Sequence, residues 1–329
     1  MTGTSAPAHC AHLPWPFPDD LTVFDYSVNV EPARTPRRTR AGEWGAHLVD
    51  LGGDRYPEIM AERRRILDAD PGRVRIGAGM DQACWELLLY YLRDLALSYP
   101  ESMTFTEDAC GRCRWRNEIL GTAQDFVVGD GASLPYGPME FLAREIPDDL
   151  LLVTERDSRL YFDAGVVTFA AGWSVAFDVG MDMYEIHAPV PRMLRAGIVA
   201  RAEQFLRSLP ADQVYRRVNW TLSASDSDKL DVSLEQRPEW AGDIPSMLAD
   251  GDFGRARLRI ELEHFIRLPA SGAVTFNIRT FTAGLDEIRT VPEWAAQLAT
   301  VIETLADDIA SYKGFLDYRD DVVAYLRGA

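Results

Sequence analysis

Ala256-Arg-Leu-Arg-Ile-Glu-Leu-Glu-His-Phe-Ile266 alternates between apolar and ionisable side chains almost without a break. Successive side chains of a strand point to opposite faces. Leu258, Ile260, Leu262, His264 and Ile266 therefore share one face, and Arg257, Arg259, Glu261 and Glu263 share the other. Leu268-Pro-Ala-Ser-Gly272 reads as the connection of a hairpin to a second strand, Ala273 to Phe281. On that strand Val274, Phe276 and Ile278 share one face, and Thr275, Asn277, Arg279 and Phe281 share the other. Cross-strand pairing is expected to bring Arg279 and Asn277 to the carboxylates of the preceding strand. Arg217 and Asn219 repeat the theme on a strand from Val214 to Leu222. Arg, Asn and Glu side chains projecting from three neighbouring strands suit a polar pocket; a solvated surface network gives the same pattern.

The flanking chain continues in short strands. Leu150 to Thr154, Leu160 to Ala164 and Val166 to Ala170 read as β runs separated by charged turns, and residues 101–140 as hairpins and turns. Helical spacing begins at Tyr56, with Ile59, Arg63, Ile66 and Leu67 at steps of three and four, and stops at Asp70-Pro71-Gly72. It resumes near Met80 and runs through Cys84, Leu87, Leu88, Tyr91, Leu92 and Leu95 to Tyr99-Pro100. A helix from Leu194 to Leu209 and a last one from Pro292, burying Trp294, Leu298, Val301, Ile302, Leu305 and Ile309, complete the set. Strands joined by hairpins, with helices gathered on one face, predict the α+β class: an antiparallel sheet with flanking helices and an N-terminal helical extension. Residues 1–43 predict a loosely held arm that Trp15, Phe17, Phe24 and Tyr26 can pin to the body, and residues 44–329 a single domain.

Between these elements, Tyr184-Glu-Ile-His-Ala-Pro-Val-Pro191 reads as a strand that places His187 at its end. Pro189 and Pro191 lack an amide proton and force the residues before them to be extended, so the imidazole is expected to be held stiffly. Stiffness suits an axial metal ligand and a hydrogen-bonded structural histidine alike.

Composition narrows the classes of partner. With 34 basic and 51 acidic residues among 329, the net charge of −17 argues against a nucleic acid or an anionic membrane as the main partner. No apolar run approaches the roughly 20 residues that span a bilayer, and the expected location is the cytoplasm. Four cysteines make no disulfide framework, and Cys110-Gly-Arg-Cys113 alone completes neither a zinc nor an iron–sulfur site. No phosphate- or dinucleotide-binding glycine motif occurs.

A set of short elements stands in fixed order along the chain: Trp44 through Tyr56, Glu62-Arg63-Arg64, Tyr99-Pro100, Asp149-Leu150, Gly172-Trp173 and Ile186-His187-Ala188-Pro189-Val190-Pro191. It continues with Arg217-Val218-Asn219-Trp220, Arg267-Leu268-Pro269, Ser271-Gly272-Ala273, Ile278-Arg279-Thr280-Phe281 and Tyr312-Lys313-Gly314. In this order the set, over residues 44–328, resembles the haem-dependent oxidative N-demethylase family. The resemblance implies a PAS-like sheet holding haem b, and a monooxygenase that uses dioxygen and external electrons on an N-methyl amine and releases formaldehyde. It implies His187 as the iron ligand, and a separate electron donor such as a flavin or ferredoxin reductase; a homo-oligomer is compatible with it. The chain departs from the family where Leu262, Glu263 and His264 replace a polar Arg-Gln-Thr run, so the amine is expected to differ from dimethylamine and His264 becomes the alternative ligand. His9 and His12 lie in the arm and His47 precedes the first helix, which makes them poorer candidates.

An imidazole ligand lacks the electron push that a thiolate supplies, so the surroundings must provide protons and positive charge. Glu261 is expected to relay protons or anchor an ammonium group, Arg279 to stabilise charge on reduced dioxygen, and Arg217 and Asn219 to contact haem propionates or substrate. The rival classes are a PAS-type haem gas sensor and a binding subunit without catalysis.

Overall fold

The computed structural model describes residues 8–21, 23, 28–211, 213–224, 229–236 and 243–328. In chain order the strands are β1 (Glu31–Pro32), β2 (Arg37–Arg38), β3 (Glu43–Trp44), β4 (Val74–Ile76), β5 (Met103–Glu107), β6 (Arg112–Asn117), β7 (Thr122–Val127), β8 (Asp149–Arg156), β9 (Arg159–Val166), β10 (Val214–Ala224), β11 (Ala256–Arg267) and β12 (Val274–Gly284). The predicted hairpin, β11 with β12, lies at the centre of a seven-stranded sheet ordered β1-β10-β11-β12-β8-β9-β4. All of its neighbouring pairs are antiparallel. Within residues 101–140, read as hairpins and turns, lies a separate three-stranded sheet, β5-β6-β7, with Cys110 exposed in its first turn and Cys113 buried in β6.

Helices α1 (Tyr56–Ala69), α2 (Asp81–Ser98) and α3 (Pro138–Ala143) cover one half of one sheet face. The apolar stripe of α2 explains the contact: Leu88, Tyr91 and Leu92 are wholly buried together with Leu150, Leu152 and Ile266 of the sheet. The other half is covered from the C-terminal side, where Trp294, Leu298, Val301 and Ile302 of the helix Pro292–Thr304 pack with Trp220, Leu222, Leu258 and Ile260. Burying a side chain of this size stabilises the fold by about 1.5–3 kcal/mol. This is the helix face of the sheet.

The opposite face departs from the sequence expectation that all helices gather on one side. Three short helices cover part of it: α4 (Val175–Asp178), α5 (Met183–His187) and α6 (Ile198–Arg207). Leu206 packs with Val153, Leu160, Phe265 and Val274, and Val175 with Leu151, Phe162 and Ile278. The predicted strand ending at His187 is therefore helical. Asp182 accepts hydrogen bonds from the backbone N–H groups of Tyr184 and Glu185, and the Glu185 side chain accepts from Asp182 N, a capping box that starts a helix at Met183. The prolines at 189 and 191 then end that helix rather than a strand.

Smaller differences have local causes. Residues 166–170 form no strand of their own, because β9 ends at Val166 and the N–H groups of Thr168 and Phe169 turn to the Asp149 carboxylate at 2.8 and 3.0 Å. The helix predicted from Leu194 starts at Ile198, after Gly197 takes a left-handed φ of 66°. The last predicted helix stops at Thr304, and the chain adds Asp307–Tyr312 and Arg319–Arg327. The expected arm is pinned at two places: Trp15 stacks on Trp294 with centroids 4.4 Å apart, and Phe17 meets Trp220 edge-on at 5.2 Å. Phe24 and Tyr26 lie outside the described residues. Among the described residues no helix is long and apolar enough to cross a membrane.

Candidate functional site

Register decides which polar side chains meet. Arg217 lies opposite Glu263, and Asn219 opposite Glu261, on the face away from the long helices. Asn219 Nδ2 donates to Glu261 Oε2 at 3.1 Å, and Arg259 Nε donates to Glu261 Oε1 at 3.2 Å. Arg259 is itself wholly buried and braced: it donates to the carbonyls of Leu230 and Phe169 and to Thr280 Oγ1. Glu261 is thus fixed at both carboxylate oxygens. Charge-assisted bonds of this kind hold a group in place better than neutral ones.

Two residues further along the same face, Glu263 sits 2.9 Å from Arg217 Nε, an ion-pair distance without hydrogen-bond alignment. Burial pushes the Glu263 carboxyl up to about 7, Arg217 opposing the shift and Glu261 adding to it. Two neighbouring carboxyls are therefore held differently. Glu261 is clamped by donors, whereas Glu263 can carry a proton near neutral pH.

The edge of β10 supplies a cation. Strand β1 pairs with β10 only at Tyr215 and Arg216, so among the described residues no strand flanks β10 beyond Arg217. Lys313, after the helix Asp307–Tyr312, reaches this edge, donates to the Trp220 carbonyl and lies 4.7 Å from the centre of the Trp220 ring. Burial pulls its ammonium down to about 8, with Glu261 opposing and Arg217 reinforcing the shift.

His187 ends α5 with Nδ1 2.7 Å from the Met183 carbonyl. A carbonyl accepts, so the proton is on Nδ1 and Nε2 keeps its lone pair. Burial holds the imidazole below its ordinary pKa; the Met183 carbonyl opposes this and the Arg217 guanidinium adds to it. A neutral ring oriented through Nδ1 is the form that binds iron through Nε2. Arg217, which acts on the imidazole, and Lys313, which Arg217 also acts on, are cations of the kind that suit carboxylate side arms. Apolar side chains also stand exposed on the adjoining segments: Phe177, Leu194 and Tyr312 at 69%, 42% and 50%. These segments are near one another, since Arg192 pairs with Asp308 at 2.7 Å and Asp178 acts on Tyr312. An imidazole, two cations and exposed apolar side chains are the kinds of group that a haem site uses.

Three sequence-predicted residues, Arg279, Asn277 and His264, are not at this site. Register places Arg279 opposite Leu262 and Asn277 opposite His264, on the helix face, so neither meets Glu261 or Glu263. Arg279 is instead buried, donating to the carbonyls of Asp50 and Thr280, and Asn277 bonds Asp148. His264 is also on the helix face, 1% exposed, where burial and the guanidiniums of Arg216 and Arg34 pull its pKa down to about 3. It lies beneath the long helices and away from the exposed surface. Of the other histidines, His12 Nδ1 lies 3.3 Å from the Glu43 carbonyl and the His47 ring packs near Tyr99.

The structure adds three residues to the site: Glu263, Arg259 and Lys313. The alternation of β11 already put Arg259 and Glu263 on the face of Glu261, but only burial distinguishes their roles. Lys313 stood in the family-like element Tyr312-Lys313-Gly314, but its place at the site was not legible, because it meets Trp220 across 93 residues of sequence. A sequence model of the family described as haem-dependent oxidative N-demethylase, alpha subunit-like, matches residues 45–323.

Proposed function

Since the chain belongs to the haem-dependent oxidative N-demethylase, alpha subunit-like family, a family of enzymes, we propose that it oxidises an N-methyl or related amine with dioxygen and external electrons, releasing formaldehyde. In this reading the seven-stranded sheet is a PAS-like sheet that holds haem b, and the protein works in the cytoplasm with a separate redox partner. Haem supplies the iron at which dioxygen is reduced and the substrate C–H bond is oxidised. The protein's own residues do the rest. His187 Nε2 is the iron ligand, kept on aim by the bond from Nδ1 to Met183. Arg217 and Lys313 hold the propionates, and Asn219 steadies Glu261.

Glu261, clamped by Arg259 and Asn219, anchors the ammonium of the substrate through its carboxylate oxygens. Glu263, able to hold a proton near neutrality, would store a proton and release it from its carboxyl on the substrate side. Arg279 has no part in this scheme. The observation that carries the reading is the neutral imidazole of His187, oriented through Nδ1, beside a face bearing two differently held carboxyls.

The experiment is an optical spectrum of the purified protein, as isolated and after reduction, followed by a screen of methylated amines for formaldehyde. A Soret band with formaldehyde release is expected. Absence of the band after haem reconstitution overturns the haem, and a band without turnover of any amine overturns the reaction.

A further inference from the structure

The bond from His187 Nδ1 to the Met183 carbonyl lies within α5, so it fixes the ring relative to that helix and not relative to the sheet. The helix is five residues long, and its N-terminal end is tied to β9. Asp182 bridges to Tyr161, and Arg159 reaches Asp182 at 3.4 Å and lies over the Tyr184 ring at 4.2 Å. His187 sits at the other end. There Val190 packs, with Met183 and Tyr184, against the cluster of Met193, Ile198 and Val199. One more side chain joins this cluster from outside: Val28, from the segment that leads into β1.

The residue after Val28 has an unusual backbone. The register that sets Glu31 opposite Arg216 puts Asn29 opposite Val218, where a continuing β1 would donate its own N–H. Asn29 instead takes a left-handed φ of 39°, which asparagine adopts more readily than most residues with a side chain. Its side-chain Nδ2 donates to the Val218 carbonyl at 3.1 Å. The amide thus keeps the chain on the edge of β10 while Val28 packs towards α5. Val218 stands between Arg217 and Asn219, and Asn219 is one of the clamps on Glu261. On the other side of Asn29, Val30 packs against the cluster of Leu206, Leu209 and Phe265, where Met183 packs as well.

We propose that Val28 and Asn29 are positioning residues that hold the His187 helix at a set distance from the strand bearing Arg217 and Asn219. The inference rests on the proposed reading of His187 as the iron ligand, and it adds what aims that ligand from outside its own helix. Groups that orient a metal ligand without touching the metal cost about 10- to 100-fold in affinity when they are lost.

The test joins two measurements: hydrogen exchange of the apoprotein across Met183–Met193, and titration with haem. Both are made on Val28→Ala, Asn29→Gly and the double variant. Asn29→Gly keeps the left-handed backbone and removes only the donor, and because Asn29 is exposed the fold is retained. Each single variant should raise exchange in Met183–Met193, leave exchange in β11 unchanged and lower haem affinity about 10-fold. The double variant should lose no more than the worse single one, because both changes unseat the same side chain. Val28→Ile should keep both readouts at the parent level. Exchange that is unchanged, or that rises throughout the protein, overturns the proposal. So does an unaltered haem affinity in a protein whose His187→Ala variant loses haem. If His187→Ala itself retains haem, the reading of His187 fails, and exchange in Met183–Met193 alone decides whether Val28 and Asn29 hold the helix.

Discussion

Strand β11 puts a histidine on the helix face and a pair of glutamates on the other, and the contrast between those faces separates structural from chemical polarity. On the helix face Asn277 and Arg279 are buried and bond neighbours within the fold, and His264 is buried on the same face. On the site face Arg217 remains 23% exposed and Glu261 13%, while His187 ends a short helix with one ring nitrogen uncommitted. Both faces carry Arg, Asn and His. What distinguishes them is whether the polar atoms end in the protein or point outwards.

Substitutions can break or sharpen this contrast. The largest effect is expected from His187→Ala, which should remove the Soret band and formaldehyde release while the protein stays folded by circular dichroism. An unchanged band would move the ligand elsewhere and dissolve the distinction between the faces. Arg279→Gln should do the reverse, destabilising the protein by about 3 kcal/mol in denaturant titration, because buried carbonyls lose their donors, yet leaving the haem band in place. Loss of the band at full stability would return Arg279 to the chemistry.

Glu261→Gln comes next, with an expected fall of about 10- to 100-fold in kcat/KM carried mainly by KM, as one charge-assisted contact is lost. Equal losses in kcat and none in KM would argue against an anchoring role. Glu263→Gln should flatten the pH dependence of kcat, which in the parent protein falls as pH rises through about 7 and the proton is lost. A profile that keeps its slope would take the proton-delivering role from Glu263.

The same group has a smaller, thermodynamic signature. Its folded pKa of about 7 lies above the unfolded value of about 4.3, so its contribution to stability is complete below the unfolded value and lost as pH rises through the folded one. Asp148, pushed up to about 7 by burial, has the same sign on the helix face. Melting midpoints should therefore decline from pH 5 to pH 8, less steeply in Glu263→Gln than in the parent.

Much of the sheet was legible because period-two alternation is a strong signal: the strand predicted as Ala256 to Ile266 is Ala256–Arg267. The family elements were legible for the same reason, being short and local. Register was not. The connection after Arg267 sets Arg279 opposite Leu262, and a slip of one residue would have put it opposite a glutamate. The helix at His187 was missed because the prolines drew more weight than Asp182 and Glu185, whose spacing is a helix start. Burial divided Glu261 from Glu263, and burial depends on segments far away in sequence.

Lys313 has a further consequence. Among the described residues no strand pairs with β10 beyond Arg217, and Asn29 and Lys313 donate to its Val218 and Trp220 carbonyls, so side chains meet acceptors that a neighbouring strand would otherwise take. A residue met first as a neighbour of the candidate site thus also closes part of a strand edge.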